Sequence, residues 1–108
     1  MSVTDLIRKQ IRFNYLTGLL FSYANAMDYG LTYSDTYAKT GHKINSLHYR
    51  RLAGDFNLMK WNDEKHRFDW LKETEDHRFL GEYWESLDEE CIWGGMWGDG
   101  NHYQYGHG

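Results

Sequence analysis

The sequence predicts an α+β protein in which one long helix and one shorter helix pack on a small antiparallel sheet. Three observations predict it. Apolar residues recur at three- and four-residue steps from Val3 to Met27, and again from Phe79 to Leu87, which is the period of a helix with one buried face. Short runs between and after these stretches alternate apolar and polar residues, the period of a half-buried strand. A chain of 108 residues has room for one core, so the elements form a single domain, 1–108, with residues 106–108 frayed.

In the first helix the apolar positions are Val3, Leu6, Ile7, Ile11, Leu16, Leu19, Leu20, Tyr23, Ala24 and Met27. Ser2 or Thr4 caps its start, and Gly30 ends it in a left-handed conformation. Its few basic residues argue for a core-facing helix rather than one lying on a membrane surface. Leu31 to Tyr37 reads as a short strand and 40–47 as a polar loop. From Leu52 to Met59, Leu52, Phe56 and Leu58 fall on one face while Asp55, Asn57 and Met59 fall on the other, so Asp55 sits on a strand and points away from the apolar face. A charged turn from Trp61 to Arg67, with His66 at its tip, leads into a second hairpin strand at Phe68 to Leu71. Asp76 caps a helix running to Leu87, with Phe79, Leu80, Tyr83, Trp84 and Leu87 on its core side. The segment from Ile92 to Tyr103 is dense in Gly and Trp and reads as an ordered loop in which backbone can approach a ligand closely. It ends in a strand from His102 to Tyr105.

Composition narrows the function. With 41% hydrophobic and 18% aromatic residues the chain is built to fold. Net charge is −4 and no basic cluster exceeds Arg50-Arg51, which argues against a nucleic-acid partner. No run of about 18 apolar residues is present, so no membrane span is expected. The single cysteine, Cys91, allows no intrachain disulfide and no multi-cysteine zinc site, and reads as a buried, inert thiol. The N-terminus lacks a basic, apolar leader, so the expected location is a cytoplasm, with the chain a monomer.

His48, Asp55 and His102 are a candidate metal set, because a hydrolytic zinc takes three His or carboxylate ligands and keeps a fourth position open. Asp99, three residues before His102, is then a spare carboxylate able to act as general base. His42, His66, His77 and His107 are read as histidines of a loop, a turn tip, a helix first turn and the terminus respectively, rather than as ligands.

The residues Ser46-x-His48, Ala53-x-Asp55 and Asp99-x-x-His102 resemble the motifs of the zinc D-alanyl-D-alanine and L-alanyl-D-glutamate peptidases of bacterial cell walls, especially the small phage endolysins. Phe56-Asn57-Leu58, Leu80-Gly81-Glu82-Tyr83-Trp84 and Trp93-Gly94-Gly95 extend the resemblance. It implies one Zn²⁺ held by His48, Asp55 and His102, Asp99 as the catalytic base, and Ser46, Arg51 and Trp97 as supporting or substrate-contacting residues. It further implies a peptidoglycan stem peptide as substrate, cut at L-Ala–D-Glu or at a D-Ala cross-link, with access from the host cytoplasm after holin-type release. Arg51 occupies the place of a family Gly, a change also expected among phage members that carry an S-L-H-x-x-R-L-A-x-D variant. One departure stands out: no Arg lies between Arg12 and Arg50, where the family carries one for the substrate carboxylate or oxyanion. The alternatives are therefore a catalytically weak relative that binds zinc or wall peptide, and a phage structural protein on the same fold.

Overall fold

Ser2 starts the first helix, its hydroxyl accepting a 3.1 Å hydrogen bond from the Asp5 amide and so satisfying a donor that a first turn leaves open. The computed structural model describes residues 2–35 and 50–107. Helix α1 runs Val3–Ala26 and buries Phe13, Leu16, Thr17, Leu20 and Ala24, a single stripe at helical spacing. Val3, Ile7 and Ile11, expected on that stripe, remain exposed together with Tyr15. Four-residue steps drift around a helix with 3.6 residues per turn, and these positions rotate off the buried sector.

The helix also ends differently from expectation. Its cap is Met27, whose amide bonds back to Tyr23 and Ala24, and the left-handed residue is Asp28 at φ 67° rather than Gly30. A short polar side chain tolerates that conformation better than most. Gly30 instead opens strand β1, Gly30–Asp35.

Strand β2, Ala53–Asn62, organises the sheet. On one edge it pairs antiparallel with β1, from Gly30 opposite Met59 to Asp35 opposite Asp55. On its other edge its last half, Leu58–Asn62, pairs with β3, Arg67–Leu71, while its first half, Ala53–Asp55, pairs with β5, His102–Tyr105. Two strands thus share one edge of β2, and because the Phe56 amide still donates to the Asn101 carbonyl at 2.9 Å, the edge opens at Asn57. Strand β4, Cys91–Trp93, pairs with β5 and completes five strands. Ile92 and Trp93, expected in the loop, thus belong to a strand, and three residues are too few to show alternation.

Helix α2 spans Arg78–Leu87. Asp76, expected as its cap, instead closes a preceding 3-10 turn, Thr74–His77, in which its carboxylate accepts the Glu73 amide at 3.1 Å as half of a capping box. Both helices cover the sheet face bearing Phe56, Leu58 and Tyr103. There Phe21 meets Phe56 edge-on at 5.0 Å, and Trp84 meets both Phe13 and Tyr103 edge-on. The Trp84 indole N–H donates to the Gln104 carbonyl at 3.0 Å, so this buried ring keeps its polar atom paired. Strand alternation sends Asp55, Asn57, His102 and Gln104 to the opposite face. Among the described residues, no helix is long and apolar enough to cross a membrane.

Candidate metal centre

Asp55 and His102 are direct partners across the β2–β5 ladder. Residues opposite each other in an antiparallel pair project to the same face within side-chain reach, so the pairing alone brings a carboxylate to an imidazole. Asp55 Oδ1 lies 3.2 Å from His102 Nδ1. The other ring nitrogen, Nε2, lies 2.7 Å from Gln104 Oε1. The orientation of that amide is itself fixed, because Gln104 Nε2 donates to the Gly106 carbonyl at 2.8 Å. Gln104 therefore presents an acceptor to His102, and Nε2 carries a hydrogen.

Asp99 reaches the same point from the loop. The His102 amide donates to the Asp99 carbonyl at 3.1 Å, and the Asp99 amide donates to the Gly94 carbonyl at 2.9 Å. This double tie requires Gly94, since a Cβ there would stand 2.3 Å from the Asp99 carbonyl oxygen and 2.9 Å from His102 Cβ. Asp99 Oδ2 consequently sits 4.0 Å from His102 Nδ1, with its side chain 48% exposed against 18% for Asp55 and 11% for His102. Trp97, half exposed, holds its ring 5.8 Å from the His102 ring.

The electrostatics of His102 follow from this geometry. Burial favours the neutral ring, but the hydrogen bonds to Asp55 and Gln104 and the charges of Asp55 and Asp99 outweigh it, and its pKa is raised. With Nε2–H committed to Gln104, Nδ1 faces two carboxylates. It needs either a second proton or a cation between itself and the acids.

A metal ion meets that need. Asp55, Asp99 and His102 each offer a ligand atom, and all three atoms lie within 4.8 Å of one another. Donors bound at about 2.0–2.1 Å to a tetrahedral ion stand roughly 3.3 Å apart. The Asp55–His102 spacing matches this, while Asp99 is wider and more exposed. The group can hold a metal ion, and an ion seated on the first pair has Asp99 beside it.

Of the residues singled out from the sequence, Asp55, Asp99, His102 and Trp97 converge here. His48 and Ser46, the other metal-ligand and support candidates, lie outside the described residues, as does His42. Arg51 is exposed in the turn before β2, with φ 58°. His66 is also left-handed, at φ 50°, in the hairpin turn, and His107 is 4.0 Å from Glu90. Gly106 is tied at both polar groups, donating to the Glu90 carbonyl at 2.7 Å and accepting from Gln104. His77 is buried, with Nδ1 2.8 Å from the Tyr103 hydroxyl. Its pKa is lowered to about 4 by burial, against a smaller opposing effect of Asp76, so it is a neutral core histidine. Burial likewise pushes the Cys91 thiol up to about 12, which keeps it protonated and inert.

The residue that the sequence reading missed is Gln104. Its signal was a polar residue two places after His102 on a strand, hence on the same face. No protein-family model, curated protein or solved structure matches the chain. The functional reading rests on the residues of the site.

Proposed function

We propose that this chain is a zinc-dependent peptidase of the bacterial cell wall that hydrolyses an amide bond of the peptidoglycan stem peptide, with L-Ala–D-Glu the preferred bond. The observation that carries the reading is the pairing of Asp55 with His102 on adjacent strands, with Asp99 4.0 Å from the same ring nitrogen. Those three residues belong to the peptidase motifs, and Asp55 lies 47 residues before His102 in sequence. Metal binding alone would also suit other divalent ions. Zinc is the choice of the motif resemblance, and mixed His and carboxylate donors accommodate it.

In this reading Asp55 and His102 hold the ion, with His48 as third ligand by resemblance. A bound zinc ion polarises the scissile carbonyl and lowers the pKa of water towards neutrality. Gln104 keeps the His102 ring turned so that Nδ1, not Nε2, is the ligand atom. Asp99 takes the proton of the attacking water on its carboxylate and returns it to the leaving amine, and its half-exposed side chain leaves room for both transfers. Trp97 walls the other side of the His102 ring. The substrate would be met at the wall after release from the host cytoplasm, by a monomer without nucleic-acid or membrane partners.

A second reading, a zinc- or wall-peptide-binding module without turnover, is favoured by one observation: no Arg lies between Arg12 and Arg50. Loss of one oxyanion-type donor typically lowers a rate by about 10²–10³-fold. Zinc content and hydrolysis measured together on Asp99→Asn separate the two. The peptidase reading expects retained zinc and a loss of at least about 10²-fold, the scale of one general base. A parent protein that holds zinc and turns over no muropeptide leaves the module.

A further inference from the structure

The gap on the edge of β2, where β5 stops at Asp55 and β3 begins at Leu58, opens into a cleft of about 240 Å³. Phe56, Asn57 and buried His77 line it from within, Trp70 and Lys72 from the end of β3, and Asp99 and Asn101 from the site loop. The cleft therefore shares Asp99 with the metal centre. Its size suits a single amino-acid residue, being below the range of pockets that enclose whole drug-sized ligands.

The walls are built and fixed. The Thr74 hydroxyl donates to the Gly98 carbonyl at 3.1 Å, and the Trp93 indole N–H is bonded to the Gly100 carbonyl. A Cβ at Gly100 would stand 2.5 Å from Thr74 Cα, so the loop lies directly on the turn before α2. Within this frame several polar groups are left over. The Asn57, Lys72 and Asn101 side chains form no hydrogen bond or ion pair among the described residues. The Lys72 ammonium instead rests 4.3 Å over the Trp70 ring. His77 is 1% exposed, and one ring nitrogen is bonded to Tyr103 while Nε2 has no partner among the described residues. Such a group in a cleft wall awaits a polar ligand.

We propose that the cleft receives the amino-acid residue next to the cleaved amide, with Lys72 binding that residue's free carboxylate and Asn57 and Asn101 its peptide group. This rests on the peptidase reading for the identity of the substrate. The cleft has one acid, Asp99, on its rim towards the metal centre and one base, Lys72, on the wall contributed by β3. An anionic residue entering with its amide at Asp99 places its negative charge towards Lys72. The arrangement supplies a cation just after β3 in a chain that carries no Arg between Arg12 and Arg50. In the stem peptide the residue following L-Ala is D-Glu, linked through its side chain, and so it carries such a carboxylate.

The test compares two synthetic peptides, L-Ala–γ-D-Glu–L-Lys and its analogue with the D-Glu α-carboxylate converted to carboxamide, on the zinc-loaded full chain. Binding is read by calorimetry and hydrolysis by product mass. The parent is expected to bind the free acid about tenfold more tightly than the carboxamide, the scale of one charged hydrogen bond in a partly dry site. Lys72→Met should erase that preference, raising KM with kcat and zinc content kept, and Lys72→Arg should restore most of it. Lys72 is exposed, so neither change threatens the fold. Hydrolysis with an undiminished preference in Lys72→Met overturns the role of Lys72 and leaves the peptidase reading intact. Lys72-dependent binding without hydrolysis keeps this inference and removes the peptidase reading. No difference between acid and carboxamide in the parent overturns the inference outright.

Discussion

Gln104 Oε1 stands 2.7 Å from His102 Nε2, and the same amide donates to the Gly106 carbonyl, so Gln104 fixes the orientation of the His102 ring. Partners that orient a metal-ligating His typically contribute 10–100-fold in affinity. Gln104→Leu, which keeps the side-chain bulk and removes the acceptor, should weaken zinc binding by about that factor. Gln104→Glu retains an acceptor for Nε2–H but loses the donor to the Gly106 carbonyl, and should fall between Gln104→Leu and the parent. Chelator competition on the purified variants gives both numbers, and equal affinity in all three proteins would remove Gln104 from the site.

Zinc affinity should depend steeply on pH through His102. The ligand atom Nδ1 must lose its proton before it can hold a cation, and the neighbouring Asp55 and Asp99 keep the pKa of the ring above 6.5. Below that raised pKa, affinity should fall about tenfold per pH unit, with one proton released per zinc bound. Calorimetry in two buffers of different ionisation enthalpy counts the proton. A pH-independent affinity between pH 6 and 8 would contradict this assignment.

How far the sequence carries this picture depends on the kind of information each element needs. The helical stripe from Phe13 to Ala24 and the alternation from Asp55 to Met59 are local patterns, and both were legible. Asp55, Asp99 and His102 could be chosen by residue type and by resemblance, but nothing local says that β5 pairs with the first half of β2 while β3 takes the second. That division of an edge creates the cleft whose lining includes both Lys72 and Asp99, and it depends on register between segments as far apart as Asp55 and His102, 47 residues. The exposed Val3, Ile7 and Ile11 show the limit from the other side, since apolar spacing marks a helix but not where its covered sector stops.

Gly94→Ala tests whether the loop positions Asp99. The added Cβ would meet the Asp99 carbonyl oxygen at 2.3 Å, a contact that only movement of the loop relieves. Overpacking of this kind costs about 1–3 kcal/mol. The same Cβ would stand 2.9 Å from His102 Cβ, but His102 is held by the strand ladder while Asp99, at the closer contact, is held by the turn, so hydrolysis should fall more than zinc content. Denaturant unfolding, zinc content and initial rate measured on one preparation separate these effects.

Acid stability of the metal-free protein should report on His77. Its folded pKa, about 4, lies below the 6.5 of an unperturbed His, so between those values the unfolded chain binds more protons. The contribution of His77 is fully present above pH 6.5 and is lost as pH falls towards 4. A shift of that size corresponds to about 3 kcal/mol. His102, whose folded pKa is raised, works in the opposite sense and loses its contribution as pH rises through that value. His77→Gln should therefore flatten the fall in unfolding free energy between pH 6.5 and 4, while an unchanged slope would show that His77 charges without cost.

The most direct test of the central claim is mass spectrometry of muropeptides after purified peptidoglycan is incubated with the zinc-loaded protein, beside the same protein stripped with chelator and beside Asp99→Asn. The account predicts new stem-peptide fragments, cut between L-Ala and D-Glu, from the zinc-loaded parent, their disappearance on chelation and return on adding zinc, and a loss of at least about 10²-fold in Asp99→Asn. Intact stem peptides after incubation with fully zinc-loaded parent would contradict it.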